Sequence, residues 1–141
     1  MTTVQFRNVD VGDTLPALLM PAVSRTTLAL YCGASGDHNP IHVDIDYARN
    51  AGLPDVFAHG MLSAAYLGRL LTQWVPQKQI RSFSARFTGI TQIGDRPACT
   101  GVVVEKFSVE GEQRVRLLLR CTNQNGEEKV LGDAVVALED H

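Results

Sequence analysis

Residues 60–75, GMLSAAYLGRLLTQWV, are apolar almost all the way round, and no other stretch limits the fold as strongly. At a helical period, the polar members Arg69, Thr72 and Gln73 fall on one narrow stripe near the C-terminal end. A helix with so little polar surface is buried inside a fold rather than laid on its outside. About 16 residues rise only ~24 Å, too little to span a membrane. Pro76 closes the stretch.

Such a helix needs a wrapping. Four strand-like runs follow it, at about 80–88, 98–107, 113–122 and 129–138. Glu110-Gly111 and Asn125-Gly126 mark turns between the last three. Residues 113–119 alternate only partly, so one face is expected to be buried and the other partly covered. Ahead of the helix, residues 14–23 are apolar but broken by Pro16 and Pro21. They read as an edge strand or extended segment, because proline cannot donate to a central ladder. Ser24 offers an N-cap to a helix carrying Thr27, Leu28, Tyr31 and Cys32, with Gly33 and Gly36 ending it. Residues 37–42 are irregular, and residues 44–51 form a short helix stopped by Gly52. The sum is an α+β arrangement, an antiparallel sheet of about five strands curled around one central helix. The 141 residues, without repeat or linker, fit one domain, 1–141.

Composition removes several classes of function. Lys plus Arg number 13 against 15 Asp plus Glu, and the basic residues are scattered, so nothing favours nucleic acid or an anionic membrane. The opening MTTVQFRNVDVGD has no apolar core flanked by basic residues, so no signal peptide is expected. Cys32, Cys99 and Cys121, odd in number and far apart in sequence, argue against a disulfide scaffold and fit a reducing, cytoplasmic compartment.

Two short segments carry the chemistry, 35–42 (SGDHNPIH) and 57–62 (FAHGML). Asp37 and His42 can share proton transfer, since imidazole titrates near neutrality and a carboxylate partner fixes its tautomer. Equally, Asp37 can cap a turn and His42 be a loop residue. His42, between Ile41 and Val43, is expected in a short extended piece and partly enclosed. A metal site built on His38, His42 and His59 is disfavoured, because Pro40 breaks the helix that would align the first two and no HExxH or cysteine pair is present. Ser35 lacks the GxSxG setting of a nucleophile, Cys32 reads as core, and no glycine-rich phosphate cradle is visible. Gly60 opens the buried helix, whose first N–H groups have no intrahelical partner and bear partial positive charge. A carbonyl placed there would be polarised; alternatively, glycine only eases a tight entry turn.

The residues Tyr31, Ser35-Gly36-Asp37-His38-Asn39-Pro40-Ile41-His42 and Ala58-His59-Gly60-Met61-Leu62 together resemble the MaoC-like (R)-specific enoyl-thioester hydratases and dehydratases. Val9 to Asp13, Arg86-Phe87 and Gly94-Asp95 look like family positions too. The resemblance implies a hot-dog fold, an antiparallel sheet around a long central helix. It implies a hydro-lyase that adds water to trans-2-enoyl thioesters to give (R)-3-hydroxyacyl thioesters, or runs the reverse, in fatty-acid or related acyl-CoA metabolism. In that reading the Gly60 N–H binds the thioester carbonyl, Asp37 and His42 activate water, and Asn39, His59 and Ser35 support them. No metal or redox cofactor is implied, because the thioester itself acidifies Cα. The substrate would be an acyl-CoA or acyl-carrier-protein thioester. Pairing through the sheet, as a homodimer or with another hot-dog chain, is also implied. Some members place a hydroxyl residue further along the central helix; the matching position here is Gly68, so no role is carried over, and Ser63 is the candidate substitute. Two other functions fit the same fold. A thioesterase would want a carboxylate on the helix, and residues 60–75 contain none. A pocket-forming subunit of a heteromeric dehydratase would have no need of the Asp37–His42 pair.

Overall fold

The computed structural model describes residues 3–140; Met1, Thr2 and His141, the ends of the expected domain, lie outside the described residues. Five strands form one sheet, β1 (Leu18–Leu19), β2 (Ile80–Phe87), β3 (Ala98–Val109), β4 (Glu112–Thr122) and β5 (Glu128–Ala137), in the order β1-β3-β4-β5-β2. Every pairing is antiparallel. Three helices precede the long strands: α1 (Arg25–Ser35), α2 (Ile45–Asn50) and α3 (Gly60–Trp74). This is the hot-dog arrangement, with α3 held against the concave side of the sheet.

Local chemistry sets the boundaries. Glu110 and Gly111 both have positive φ (50° and 82°), the two-residue turn whose twist matches the strands it joins. Ser24 caps α1 by accepting from the Thr27 N–H at 3.1 Å. The helix does not stop at Gly33; it runs to Ser35, and only Gly36 adopts the left-handed conformation (φ 75°) that ends it. Along β4, alternation is strict from Val115 to Cys121, stricter than residues 113–119 suggest, because Leu118 lies on the outer face between Arg116 and Arg120.

Two apolar clusters result. The larger packs Leu67, Leu70 and Leu71 of α3 onto Val103, Leu117, Leu119, Ala134 and Val136 of the sheet. The smaller gathers Val23, Leu28, Ala48, Val56, Ala58 and Leu62 under the loops before α3, and Tyr66 touches both. The three cysteines are buried free thiols, although Cys99 and Cys121, distant in sequence, face each other across β3 and β4.

Helix α3 is less enclosed than its composition suggests. Met61, Ala65, Arg69 and Thr72 form an exposed stripe along its whole length, with Met61 58% accessible. The sheet covers one side of α3 only. Strand β2, at the sheet edge, is exposed at every residue after Ile80.

Candidate active site

The chain after α1 is folded by its own polar side chains. The Ser35 hydroxyl donates to the Tyr31 carbonyl (2.7 Å) and accepts the Asp37 N–H (3.1 Å). The Asn39 N–H donates to Asp37 Oδ1 (3.3 Å), and Asn39 Oδ1 accepts the Ile41 N–H (3.1 Å). Pro40 then opens a 3-10 turn, Pro40–His42, as its fixed φ suits a first helical position. His42 therefore sits in a turn rather than in an extended piece, and it is 8% accessible. Its Nδ1 lies 2.8 Å from the Phe57 carbonyl. A carbonyl can only accept, so Nδ1 carries the hydrogen and Nε2 is left as the basic nitrogen.

His59 connects the two segments. Its ring stacks on that of His42 (centroids 3.8 Å apart, 27° between planes) and meets Tyr31 edge-on. Its Nε2 lies 3.2 Å from the Asp37 carbonyl oxygen and 3.4 Å from Cys32 Sγ. Nε2 thus bears the hydrogen, and buried Nδ1 has no partner among the described residues. Burial, then the neighbouring His42, hold His59 below the usual imidazole range. Burial, then the Asp37 charge, push the Tyr31 hydroxyl up.

Gly60 follows as the first residue of α3, and no described residue accepts its N–H. A Cβ at this position would lie 3.0 Å from the Phe87 ring, so the missing side chain makes room for that aromatic as well as for a ligand. The loop after β2 returns to the same place: the Ala58 N–H donates to the Thr91 carbonyl (2.9 Å), and Phe57 pairs with Gln92.

These elements enclose a cleft of about 290 Å³ lined by Asp37, His42, His59, Gly60, Phe87 and Thr91, among others. Its size is near the lower end for small-molecule sites. Of the residues singled out in the sequence, Asp37, His42, His59 and Gly60 meet here. Ser35 and Asn39 are exposed and tie the turn through the bonds above, and exposed His38 is not part of the lining. Donor atoms of Asp37, His42 and His59 lie within 4.8 Å of one another, which is the one group of described residues able to approach a metal ion together. The two stacked rings are 27° from parallel, and His59 Nε2 is already engaged by the Asp37 carbonyl. Sequence reasoning missed Phe57, Phe87 and Thr91 as site residues. Their contribution depends on a chain return across more than 25 positions, which no local pattern reports.

With the geometry in place, the comparisons are specific. Residues 6–125 match the MaoC like domain family. The chain is similar to fatty acid synthase subunit beta of Aspergillus oryzae, 42% identical over 113 residues, 77% of this chain but 5% of that protein. It thus spans only 4–6% of the length of the fatty acid synthase beta subunits it matches. It is 33% identical over 103 residues to the (R)-specific enoyl-CoA hydratase of Rhodospirillum rubrum, covering 69% of this chain and 72% of that one. Among solved structures, R-hydratase PhaJ1 from Pseudomonas aeruginosa superposes with a TM-score of 0.84 at 29% identity, covering 98% of this chain and 88% of its own. A match over most of the chain, a relative of similar length and a shared fold make the conclusion plain: the chain belongs to the MaoC-like dehydratase domain family.

Proposed function

We propose that this chain is a hydro-lyase that adds water across the double bond of trans-2-enoyl thioesters to give (R)-3-hydroxyacyl thioesters, or eliminates water in reverse. The observation that carries the reading is one cleft lined together by Asp37, His42 and the N-terminal end of α3. The thioester carbonyl accepts from the free Gly60 N–H, where the helix end stabilises the enolate that forms. Asp37 and His42 stand close enough for one water to hydrogen-bond to both. The pair takes one proton from that water as its oxygen bonds to Cβ, and returns one to Cα. His42 Nε2 is available for this because Phe57 holds Nδ1 protonated. Ser35, Asn39 and His59 support the reaction by fixing the backbone and ring positions of the pair.

Asp37→Asn and His42→Gln should each lower hydration of a model enoyl-CoA by roughly 10²- to 10⁴-fold while leaving thermal unfolding nearly unchanged. Activity retained in both variants would remove the assignment. Free thiol release measured in parallel separates hydration from thioester hydrolysis.

Residues 1–141 act as one domain, and a second chain of the same fold covers the exposed stripe of α3 and strand β2. Met61, Phe83, Phe87 and Ile90 are all more than a third accessible on that face, an apolar surface rarely left to water. A monomer mass in solution across a wide concentration range would count against the pairing. Among the described residues no helix is long and apolar enough to cross a membrane. Three buried free thiols fit a reducing cytoplasmic setting. An acyl-CoA or acyl-carrier-protein thioester is the substrate in this reading.

A further inference from the structure

Two buried hydroxyls stand in the otherwise mainly apolar lining of the cleft. Ser63, one helical turn beyond Gly60, and Thr91, on the loop after β2, both line it. They are buried, 2% and 6% accessible. Their hydroxyl oxygens are 3.4 Å apart, well beyond the ~2.8 Å of an ordinary hydroxyl pair. Each hydroxyl can donate once and accept twice; with this long contact, and the Cys121 thiol as a further partner of Ser63, both oxygens keep acceptor capacity. Two oxygens at that separation can both reach a third at ~2.8 Å. An alkyl end pressed against them would give them nothing in return, a cost buried polar groups do not tolerate cheaply.

Behind this wall the interior is filled. Leu67, Leu119 and Cys121 are at most 1% accessible, and a Cβ on Gly132 would come within 3.1 Å of both Leu67 and Leu119. An acyl chain that runs inward from Gly60, rather than out past the exposed Met61, Phe87 and Ile90, therefore ends at Ser63 and Thr91. Three helical residues rise ~4.5 Å. An extended chain covers that distance in about four bonds, at ~3.5 Å for every three. The only charged carboxylate in the lining is Asp37, and no Lys or Arg joins it, so a second anion is unwelcome.

We propose that Ser63 and Thr91 form a hydroxyl clamp that selects short acyl thioesters carrying a neutral oxygen, a hydroxyl or carbonyl, on about the fourth or fifth carbon. This rests on the hydro-lyase reading and names the substrate class of that same site. The test compares trans-2-hexenoyl-CoA with 5-hydroxy-trans-2-pentenoyl-CoA, in which a hydroxyl replaces the terminal methyl at equal length. The native protein should favour the hydroxylated substrate in kcat/KM by about tenfold. In the Ser63→Ala, Thr91→Val double variant the ratio should fall to near one, mostly through KM. A ratio near one in the native protein, or a ratio that survives both substitutions, would overturn the clamp and leave the hydro-lyase reading standing. No hydration of either substrate by the native protein would overturn both. Should the double variant not fold, Thr91→Val alone and the native ratio still decide.

Discussion

The two apolar clusters are held together by different means. Around the larger one, β3, β4 and β5 pair along nearly their full lengths, and α3 is pressed onto a surface already fixed by that ladder. Around the smaller one, the described residues form only the single Phe57–Gln92 bridge and no extended ladder. α1, the 3-10 turn and α2 are joined by caps and single side-chain bonds: Ser24 to Thr27, Ser35 to Tyr31 and Asp37, Asn39 to Ile41, Asp44 to Asp46 and Tyr47. The groups proposed to react lie on the seam, with Asp37 and His42 contributed by the layer before α3 and Gly60 by the helix bound to the sheet. Both clusters hold the fold, but in the proposed reaction only the smaller one also positions Asp37 and His42.

The sharpest way to break this contrast is to empty each cluster in turn. Leu67→Ala and Leu28→Ala both remove a fully buried side chain, and each should cost about 2–5 kcal/mol in chemical unfolding. Leu28→Ala should in addition depress hydration in the molecules that remain folded, since the layer that carries Asp37 slackens. Equal residual activity per folded molecule in the two variants would erase the distinction.

A smaller effect isolates the turn. A Cβ on Gly36 would touch nothing within 4 Å, so Gly36→Ala meets only the strain of the left-handed backbone, ~1–2 kcal/mol. Activity should drop by more than that loss of stability explains, because Asp37 is the next residue. Unchanged kcat at full folding would show that the turn tolerates displacement.

The mildest effect is one of pH. His59 is held below the usual imidazole range in the folded protein, so the unfolded chain binds its proton first as the medium is acidified. Its neutral burial contributes fully above the ordinary value of 6.5, and stability is lost as pH falls from there through the folded value. Melting temperatures between pH 8 and pH 5 should fall more steeply for the native protein than for His59→Gln. Parallel slopes would assign the acid sensitivity elsewhere.

The same division governed how much could be read from the residues. The four long strands were legible to within one or two positions, because alternation and the Glu110-Gly111 turn are local signals, whereas only Leu18–Leu19 of the extended segment 14–23 pairs as a strand. Helix α3 was legible in extent, at Gly60–Trp74 against an expected 60–75, but its exposed stripe was not. Met61 and Ala65 are apolar, and composition cannot tell an apolar residue facing a core from one facing outward. The motif positions Asp37, His42 and Gly60 were legible as chemistry and do share a cleft. The tautomer of His42 was not, because it depends on a carbonyl at Phe57 presented from another segment. Nor was the pairing of Ser63 with Thr91, whose contact exists only once the chain has turned back on itself.

The bond between Phe57 and His42 has one more effect. Phe57 orients the imidazole, and Gly60, a few positions along the same strip of backbone, offers the free N–H. One strip of backbone, residues 57–60, therefore fixes both the tautomer of His42 and the position of the Gly60 N–H, so a change in its path would disturb both groups of the proposed reaction together.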